Sequence, residues 1–174
     1  MIVQLCGLSG SGKTTVAYKT KELLKREDIA VEIIDGDEYR KAICADLGFS
    51  RQDRNENIRR LGFVASKFSQ HGIISIICAI NPYEDIRTEL ALKYHDVRTV
   101  YIDCDMGTLM LRDTKGLYKR AALPETDPDR VCNLSGVNDP FEAPLNADLV
   151  IRTDAETADE SAKKLYQFIL AHRK

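Results

Sequence analysis

Eight residues near the start of the sequence have the types and the spacing of a site that binds nucleotide phosphates. Gly7–Thr14, with the sequence Gly-Leu-Ser-Gly-Ser-Gly-Lys-Thr, fits the pattern G-x-x-x-x-G-K-[ST]. Glycines let backbone N–H groups turn inward around phosphate oxygens, and the helix that follows adds unpaired donors and a favourable dipole. In such a loop Lys13 reaches the β- and γ-phosphates, and the hydroxyl of Thr14 binds Mg²⁺. A plain Gly/Ser turn is disfavoured because the flanking strand, the lysine and the helix are all present.

Two carboxylates, Asp35 and Asp37, flank Gly36 directly after the second predicted strand. In an extended chain, residues two apart point the same way, so both carboxylates could face the γ-phosphate. If the chain is a kinase, Asp37 is the candidate for orienting or deprotonating the hydroxyl that accepts the phosphoryl group, either alone or through Mg²⁺. The alternative is an Asx turn in which Asp35 only caps a helix.

The residues from Gly48 to Arg60 predict a second site, for the molecule that accepts the phosphoryl group. Ser50 and Asp53 form a capping box in acidic form, which begins a helix. Arg54 and Asn57 then lie on one face of its first turns, where an arginine suits an anionic acceptor. Phe49 either stacks on a base or packs as a hydrophobic staple. A GTPase would need a base-reading Asn-Lys-x-Asp, which the sequence lacks, and the small size argues against a motor ATPase.

Strands that alternate with helices must position these residues. The apolar runs predict strands at 2–6, 31–34, 73–80, 97–103 and 149–151, and helices from the loop to residue 25, over 53–70, from 83 or 84 to about 94, near 108–112 and over 158–172. This order predicts right-handed βαβ units and a parallel sheet covered on both faces, with the ligand beyond the carboxyl ends of the strands. Residues 113–147 carry four of the five prolines and little periodicity, so we expect a lid within them.

The composition is that of a globular chain. We expect one domain over residues 1–174, with 44% hydrophobic and 30% charged residues. A formal net charge of −2 gives no general reason to expect a nucleic-acid polymer or a membrane as partner. Apolar runs stay well short of the roughly 18 residues that span a membrane, and we expect no cleaved leader. The five cysteines form no C-x-x-C pair, which favours reduced thiols and a cytoplasmic location.

Taken together, the motifs resemble the adenylylsulfate kinase family of P-loop kinases. The resemblance extends from the first strand to Pro144 and rests on Gly7–Thr15, Asp35-Gly36-Asp37-x-x-Arg40, Gly48-Phe49-Ser50-x-x-Asp53-Arg54-x-Glu56-Asn57-Ile58-Arg59-Arg60, Pro82-Tyr83 and Lys115-Gly116-Leu117-Tyr118-Lys119. Such kinases transfer the γ-phosphoryl group of ATP to the 3′-hydroxyl of adenosine 5′-phosphosulfate (APS), with Mg²⁺, in sulfate activation. The resemblance implies a nucleoside-kinase-like α/β fold with a five-stranded parallel sheet, helices on both faces and residues 115–119 as a mobile lid. Family members are often dimers, so a homodimer is an open expectation.

The motifs and the resemblance assign three sets of site residues. ATP binding is assigned to Gly7, Ser9, Gly10, Ser11, Gly12, Lys13, Thr14, Thr15 and Arg112. Acceptor binding is assigned to Asp37, Arg40, Phe49, Arg54, Asn57, Asn81, Pro82, Tyr83, Lys115, Gly116, Leu117 and Leu134. The catalytic residues are Lys13, Asp37 and Asp35, and the Mg²⁺ ligands are Thr14 and Asp35.

Four departures from the family pattern fall on the acceptor side. Asn81 replaces a serine that is sometimes described as a phosphorylated intermediate; because asparagine has no hydroxyl, direct in-line transfer is the mechanism left. Leu134 replaces a phenylalanine that helps to sandwich the acceptor adenine, residues 121–124 lack a usual arginine, and residues 123–133 follow another pattern. Two alternatives therefore stay open. The acceptor could be another nucleotide, such as the cytidine diphosphoramidate that relatives phosphorylate in capsule modification, or the chain could be an ATP-binding switch without turnover.

Overall fold

A five-stranded sheet carries the site, and all of its strand pairs are parallel. The computed structural model describes residues 1–173. The strands are β1 (Ile2–Cys6), β2 (Val31–Asp35), β3 (Ile74–Cys78), β4 (Val97–Asp103) and β5 (Leu149–Arg152), and their order in the sheet is β2-β3-β1-β4-β5. The predicted fold class is therefore confirmed. The connection that leaves β1 leads to β2 on one side of the sheet, and the connection that leaves its neighbour β3 leads to β4 on the other side. The loop after β1 therefore lies at the switch point where such sheets bind ligands.

Residues 1–173 contain seven helices: α1 (Lys13–Lys25), α2 (Gly36–Ala42), α3 (Arg51–Gln70), α4 (Glu84–Lys93), α5 (Met106–Arg112), α6 (Leu117–Ala121) and α7 (Ala158–His172). The predicted capping box at the start of α3 is confirmed, since Ser50 Oγ accepts a hydrogen bond from the backbone N–H of Asp53, and Asp53 accepts one in return. The sequence analysis offered a helix at α2 only as the alternative in which Asp35 is a cap, and it did not predict α6. α2 follows β2 directly, and α6 lies inside the predicted lid.

Two apolar layers sandwich the sheet. On one face Val3 and Leu5 pack in a cluster with residues of α1 and α7, and on the other face Ile2 packs with residues of α3 and α4. This is the alternation expected of a strand buried on both faces. Gln4 is the polar exception within β1, and it is fully buried. The two layers hold the carboxyl ends of the strands at one edge.

A third, smaller apolar cluster anchors the segment that follows β4. Its buried members are Cys104, Leu109, Tyr118, Ala121 and Leu134. Burial raises the pKa of the Tyr118 phenol to about 12, and its hydroxyl donates a hydrogen bond of 2.8 Å to the carbonyl of Ser9. The predicted lid is thus packed directly on the phosphate-binding loop. Over residues 1–173, no helix combines the length and the apolar character needed to cross a membrane.

Candidate active site

A cleft of about 610 Å³ lies beyond the carboxyl ends of β1, β2 and β3. It joins residues from each group that the sequence predicted: Ser9, Gly10, Gly12, Lys13, Thr14, Thr15, Asp35, Asp37, Arg40, Phe49, Arg54, Asn57, Asn81, Pro82, Lys115, Leu117 and Leu134. One continuous cleft therefore contains both the phosphate-binding loop and the predicted acceptor residues.

Glycine is required in the phosphate-binding loop by space as well as by conformation. A Cβ atom on Gly7 would lie 2.4 Å from the carbonyl oxygen of Ile102, so no side chain fits there. Gly12, directly before α1, has a φ of 95°, in the left-handed region that favours glycine. These two positions let the backbone curl close to β4 and then enter the helix.

Lys13 lies inside the curled loop. Its ammonium donates hydrogen bonds of 2.8 Å to the carbonyl of Gly7 and 2.7 Å to the carbonyl of Leu8. Burial lowers the pKa of Lys13 to about 8, because the charged form is costly where water is excluded. An anionic phosphate beside the ammonium would offset this cost. The loop thus holds a cation in a place that favours a bound polyphosphate.

Asp35 connects the loop to the acceptor side. Its Oδ2 lies 3.0 Å from the hydroxyl of Thr14, and its Oδ1 accepts a hydrogen bond of 2.9 Å from the backbone N–H of Asp37. Asp35 is therefore the N-cap of α2, as the Asx-turn alternative required. The argument from an extended chain was wrong for Asp37, because the chain turns into α2 at Gly36. Both carboxylates nevertheless line the cleft.

The Thr14–Asp35 pair suits Mg²⁺. This ion takes oxygen ligands, keeps several waters, and is usually held by one or two carboxylates together with substrate phosphates. One hydroxyl and one carboxylate at the edge of a phosphate-binding loop meet that requirement. Within residues 1–173, no group of three or more His, Cys, Asp or Glu side chains is arranged to hold a metal ion.

On the acceptor side, two guanidinium groups contact the ring of Phe49. Arg40 lies 4.6 Å and Arg54 lies 5.5 Å from the ring centroid. Arg40 also donates to the carbonyls of Leu47 and Gly48. The staple alternative for Phe49 is not realised, because its partner position in the helix is Arg54 and half of the Phe49 surface is exposed.

The guanidinium of Arg54 is paired mainly with other groups of the protein. Its guanidinium donates to the carbonyls of Phe49 (3.0 Å) and Asn133 (2.5 Å) and lies 3.3 Å from the carboxylate of Asp139. It is buried, and it ties the start of α3 to Asn133 and Asp139, within the 113–147 stretch. Arg54 thus shapes the acceptor end of the cleft as well as contributing charge to it.

Residues of the predicted lid also line the cleft. The ammonium of Lys115 forms an ion pair with Asp37. Five further lining residues, which sequence reasoning missed, come from this part of the chain: Thr114, Arg120, Val131, Asn133 and Ser135. Arg120 lies in α6 and the other four lie outside helices and strands, and no periodicity in the sequence marks which side chains face the cleft. Cys78, another missed lining residue, has its pKa raised to about 12 by burial, so its thiol stays protonated and is no nucleophile.

Some predicted site residues do not line the cleft. Tyr83 is in the core layer under α4, with Arg51 over its ring, and Arg112 instead donates to the carbonyl of Thr153 (2.6 Å). Gly7 and Ser11 contribute only to the inner framework of the loop, and Gly116 lies at the start of α6. For Tyr83 the reason is packing: a tyrosine after Pro82 points into the α4 layer, which its sequence position does not reveal.

Comparison with known proteins agrees with this geometry. A family model described as adenylylsulphate kinase matches residues 1–152. Adenylyl-sulfate kinases of Gloeothece citriformis (40% identical over 163 residues, 94% of this chain and 90% of that protein) and Halothermothrix orenii (41% over 167 residues, 96% and 88%) are similar in sequence. The structure is similar to that of the Mycobacterium tuberculosis APS kinase in complex with AMPPNP and APS, with a TM-score of 0.89, 35% identity and coverage of 97% and 96% of the two chains. The chain therefore belongs to the adenylylsulphate kinase family.

Proposed function

We propose that this protein transfers the γ-phosphoryl group of ATP to the 3′-hydroxyl of adenosine 5′-phosphosulfate. The observation that carries the proposal is the single cleft in which the phosphate-binding loop, Asp37 and the Phe49–Arg54 region face one another. Membership of the family and the similarity to a kinase solved with an ATP analogue and APS support the choice of both substrates. The lid assignment for residues within 113–147, the Mg²⁺ ligands and the role of each site residue belong to the same proposal.

In the proposed reaction the chain's own residues position the substrates and hold charge. Lys13 and the backbone N–H groups of the loop hold the β- and γ-phosphates, where they stabilise the charge of a loose transition state. The bond from the γ-phosphorus to the bridging oxygen breaks, and a bond from that phosphorus to the acceptor oxygen forms. Asp37 orients the hydroxyl and takes its proton, and ADP leaves. Lys115, paired with Asp37, holds the lid over the cleft and excludes water.

Mg²⁺ is part of the proposal, with Thr14 and Asp35 as the residues that would hold it with the nucleotide. When bound, the ion neutralises charge on the β- and γ-phosphates. The hydrogen bond from the N–H of Asp37 fixes one oxygen of Asp35 and leaves the other beside Thr14. The phosphoryl group is transferred directly from ATP to the acceptor, because Asn81 has no hydroxyl that could carry it in between.

A second candidate acceptor, a cytidine nucleotide, is favoured by one observation. Among the cleft-lining residues found within the described chain, Phe49 is the single aromatic one. Leu134, which also lines the cleft, offers no ring for the adenine sandwich that the family resemblance implies. A smaller base needs less stacking surface. The same phosphoryl transfer to a cytidine diphosphoramidate is therefore the alternative acceptor reaction.

The test is a coupled assay of ADP release with ATP and Mg²⁺, comparing APS with cytidine diphosphate derivatives. The proposal predicts saturable turnover with APS and a product phosphorylated at the 3′-oxygen. Turnover with a cytidine compound alone would replace APS by the second candidate. No turnover with either acceptor, despite binding of ATP, would favour an ATP-binding switch.

A matched pair of variants tests the role of Asp37. Asp37→Asn should lower kcat by about a hundredfold or more, the range for loss of a general base. Glu38→Gln makes the same chemical change one residue further along α2, on an exposed side chain that does not line the cleft, and should leave kcat unchanged. Equal, small effects of the two changes would contradict the role assigned to Asp37.

A further inference from the structure

Gln4 is a polar side chain in the middle of a buried strand, and its orientation is fixed by its neighbours. Its Nε2 donates hydrogen bonds of 3.1 Å to the backbone carbonyl of Arg87 and 2.9 Å to the hydroxyl of Thr99. A backbone carbonyl can only accept, so the atom that faces Arg87 must be the amide nitrogen. The carbonyl oxygen of the Gln4 side chain, Oε1, therefore points to the opposite side.

Asn81 completes a chain of hydrogen bonds that begins at Arg87. Its Nδ2 donates a hydrogen bond of 3.0 Å to Gln4 Oε1, and because that oxygen only accepts, the Asn81 atom facing it must be the nitrogen. The backbone of Asn81 is held as well, since its carbonyl accepts a bond of 2.7 Å from the guanidinium of Arg87. Its φ of 48° lies in the left-handed region, which asparagine tolerates better than most residues.

One atom of this arrangement is left unpaired. Asn81 is 1% exposed and lines the cleft beside Pro82, and its Oδ1 has no hydrogen-bond partner among residues 1–173. A buried carbonyl oxygen without a partner is unfavourable, and such groups in a native protein call for an explanation. With Nδ2 bonded to Gln4, Oδ1 is the side-chain atom of Asn81 that is left to accept a hydrogen bond from outside the described chain.

We propose that Gln4 is a positioning residue that turns the amide of Asn81 so that its Oδ1 accepts a hydrogen bond from a ribose hydroxyl of the acceptor nucleotide. This inference rests on the proposed function, because it names a contact within the same cleft. The fixed orientation has a consequence for specificity: the group opposite Asn81 must be a donor. A phosphate or carboxylate at that place is disfavoured, since both sides would be acceptors.

The first test measures binding by calorimetry, with no need for turnover. The ligands are APS and its 2′-deoxy and 3′-deoxy forms, and the proteins are the wild type and Gln4→Leu. In the wild type, loss of one of the two hydroxyls should weaken binding about tenfold, the effect of one buried hydrogen bond. Gln4→Leu should bind APS about tenfold more weakly and should lose less than twofold on removal of that same hydroxyl.

The affinity of Gln4→Leu for AMPPNP should stay within twofold of the wild-type value, which separates a local effect from a general loss of folding. An equal penalty for deleting the hydroxyl in the wild type and in Gln4→Leu would overturn the inference. Failure of the wild type to bind APS would instead show that the proposed function is wrong. The orientation of the Asn81 side chain is then tested by the stability of the Asn81 variants.

The second test needs no nucleotide. Asn81→Asp would put a carboxylate oxygen against Gln4 Oε1, so near neutral pH its unfolding midpoint should lie about 4 °C or more below that of Asn81→Ala. In the Gln4→Leu background, where the opposing oxygen is gone, this difference should disappear. If Asn81→Asp is as stable as Asn81→Ala in the wild-type background, the assigned orientation is wrong.

Discussion

Nucleotide affinity should depend on pH through Lys13. The structure buries this ammonium among backbone carbonyls, and burial lowers its pKa to about 8 from an ordinary value of 10.5. Bound phosphates favour the charged form and raise the pKa again. Above pH 8, therefore, the protein must take up a proton when it binds a nucleoside triphosphate.

The size of the effect follows from the fraction of charged lysine. With a pKa of about 8, roughly three quarters of the Lys13 side chains are charged at pH 7.5, and roughly one tenth at pH 9. Affinity for AMPPNP with Mg²⁺ should therefore fall about eightfold over this interval, provided that the pKa in the complex lies above 10. A lysine with the ordinary pKa would change the affinity by only a few per cent.

The measurement is calorimetric titration with AMPPNP at pH 7.5, 8.0, 8.5 and 9.0, repeated in two buffers of different ionisation enthalpy to count protons taken up. Lys13→Arg is the matched control, because a guanidinium stays charged throughout this range and its binding should not change with pH. The thiol of Cys78, which also lines the cleft, does not interfere because burial raises its pKa to about 12.

A flat affinity between pH 7.5 and 9.0, without proton uptake, would refute the reasoning about Lys13. The sign of a second effect follows from the same shift. Because the pKa is lower in the folded than in the unfolded protein, the unfolded state binds more protons between about pH 8 and 10.5, and the free energy of unfolding in the absence of nucleotide should rise with pH there.

Three further predictions follow from the lid side of the cleft. Gly136→Ala and its control Gly72→Ala both put a side chain on a residue in the left-handed region, so each should cost about 1–2 kcal/mol of stability. Only in Gly136→Ala would the added Cβ lie 2.5 Å from Leu8 of the phosphate-binding loop. Only that variant should therefore bind AMPPNP more weakly, as measured by calorimetry. Lys115→Met breaks an exposed ion pair, so the free energy of unfolding should change by less than about 1 kcal/mol. In the same variant kcat/KM for the acceptor should fall at least tenfold. Leu134→Phe should cost about 1–3 kcal/mol by overpacking the third apolar cluster and should raise the affinity for an adenine acceptor relative to a cytidine one, as measured by parallel binding titrations.

Much of the fold could be predicted because its signals are local and strong. Apolar runs marked all five strands, and the phosphate-binding loop fixed the place of β1 and α1 in the chain. α2, which the sequence offered only as an alternative, and α6, which it missed, lack such signals. α2 is seven residues long and begins with Gly36 after an aspartate, which is equally typical of a turn, and α6 has five residues and no side-chain cap.

The partners of the site residues could not be predicted, because they come from distant parts of the chain. Arg54 donates a hydrogen bond to the carbonyl of Asn133, 79 residues away in sequence, and no local pattern reveals this contact. The burial of Tyr83 and the contact of Arg112 with Thr153 likewise depend on how helices pack on the sheet. Sequence motifs predicted residues of which many line one cleft, while tertiary packing determined which side chains reach it.

The two halves of the cleft differ in how freely they can change. The ATP side depends on backbone N–H groups, on a glycine with no room for a side chain and on one buried lysine, so few substitutions are compatible with it. The acceptor side depends on side chains that also have structural tasks: Arg54 ties two segments together, and Leu134 belongs to an apolar cluster. A change of acceptor would therefore require coordinated substitutions on that side alone. The departures from the family pattern have this distribution, which is why the identity of the acceptor is the sharpest question to put to this protein.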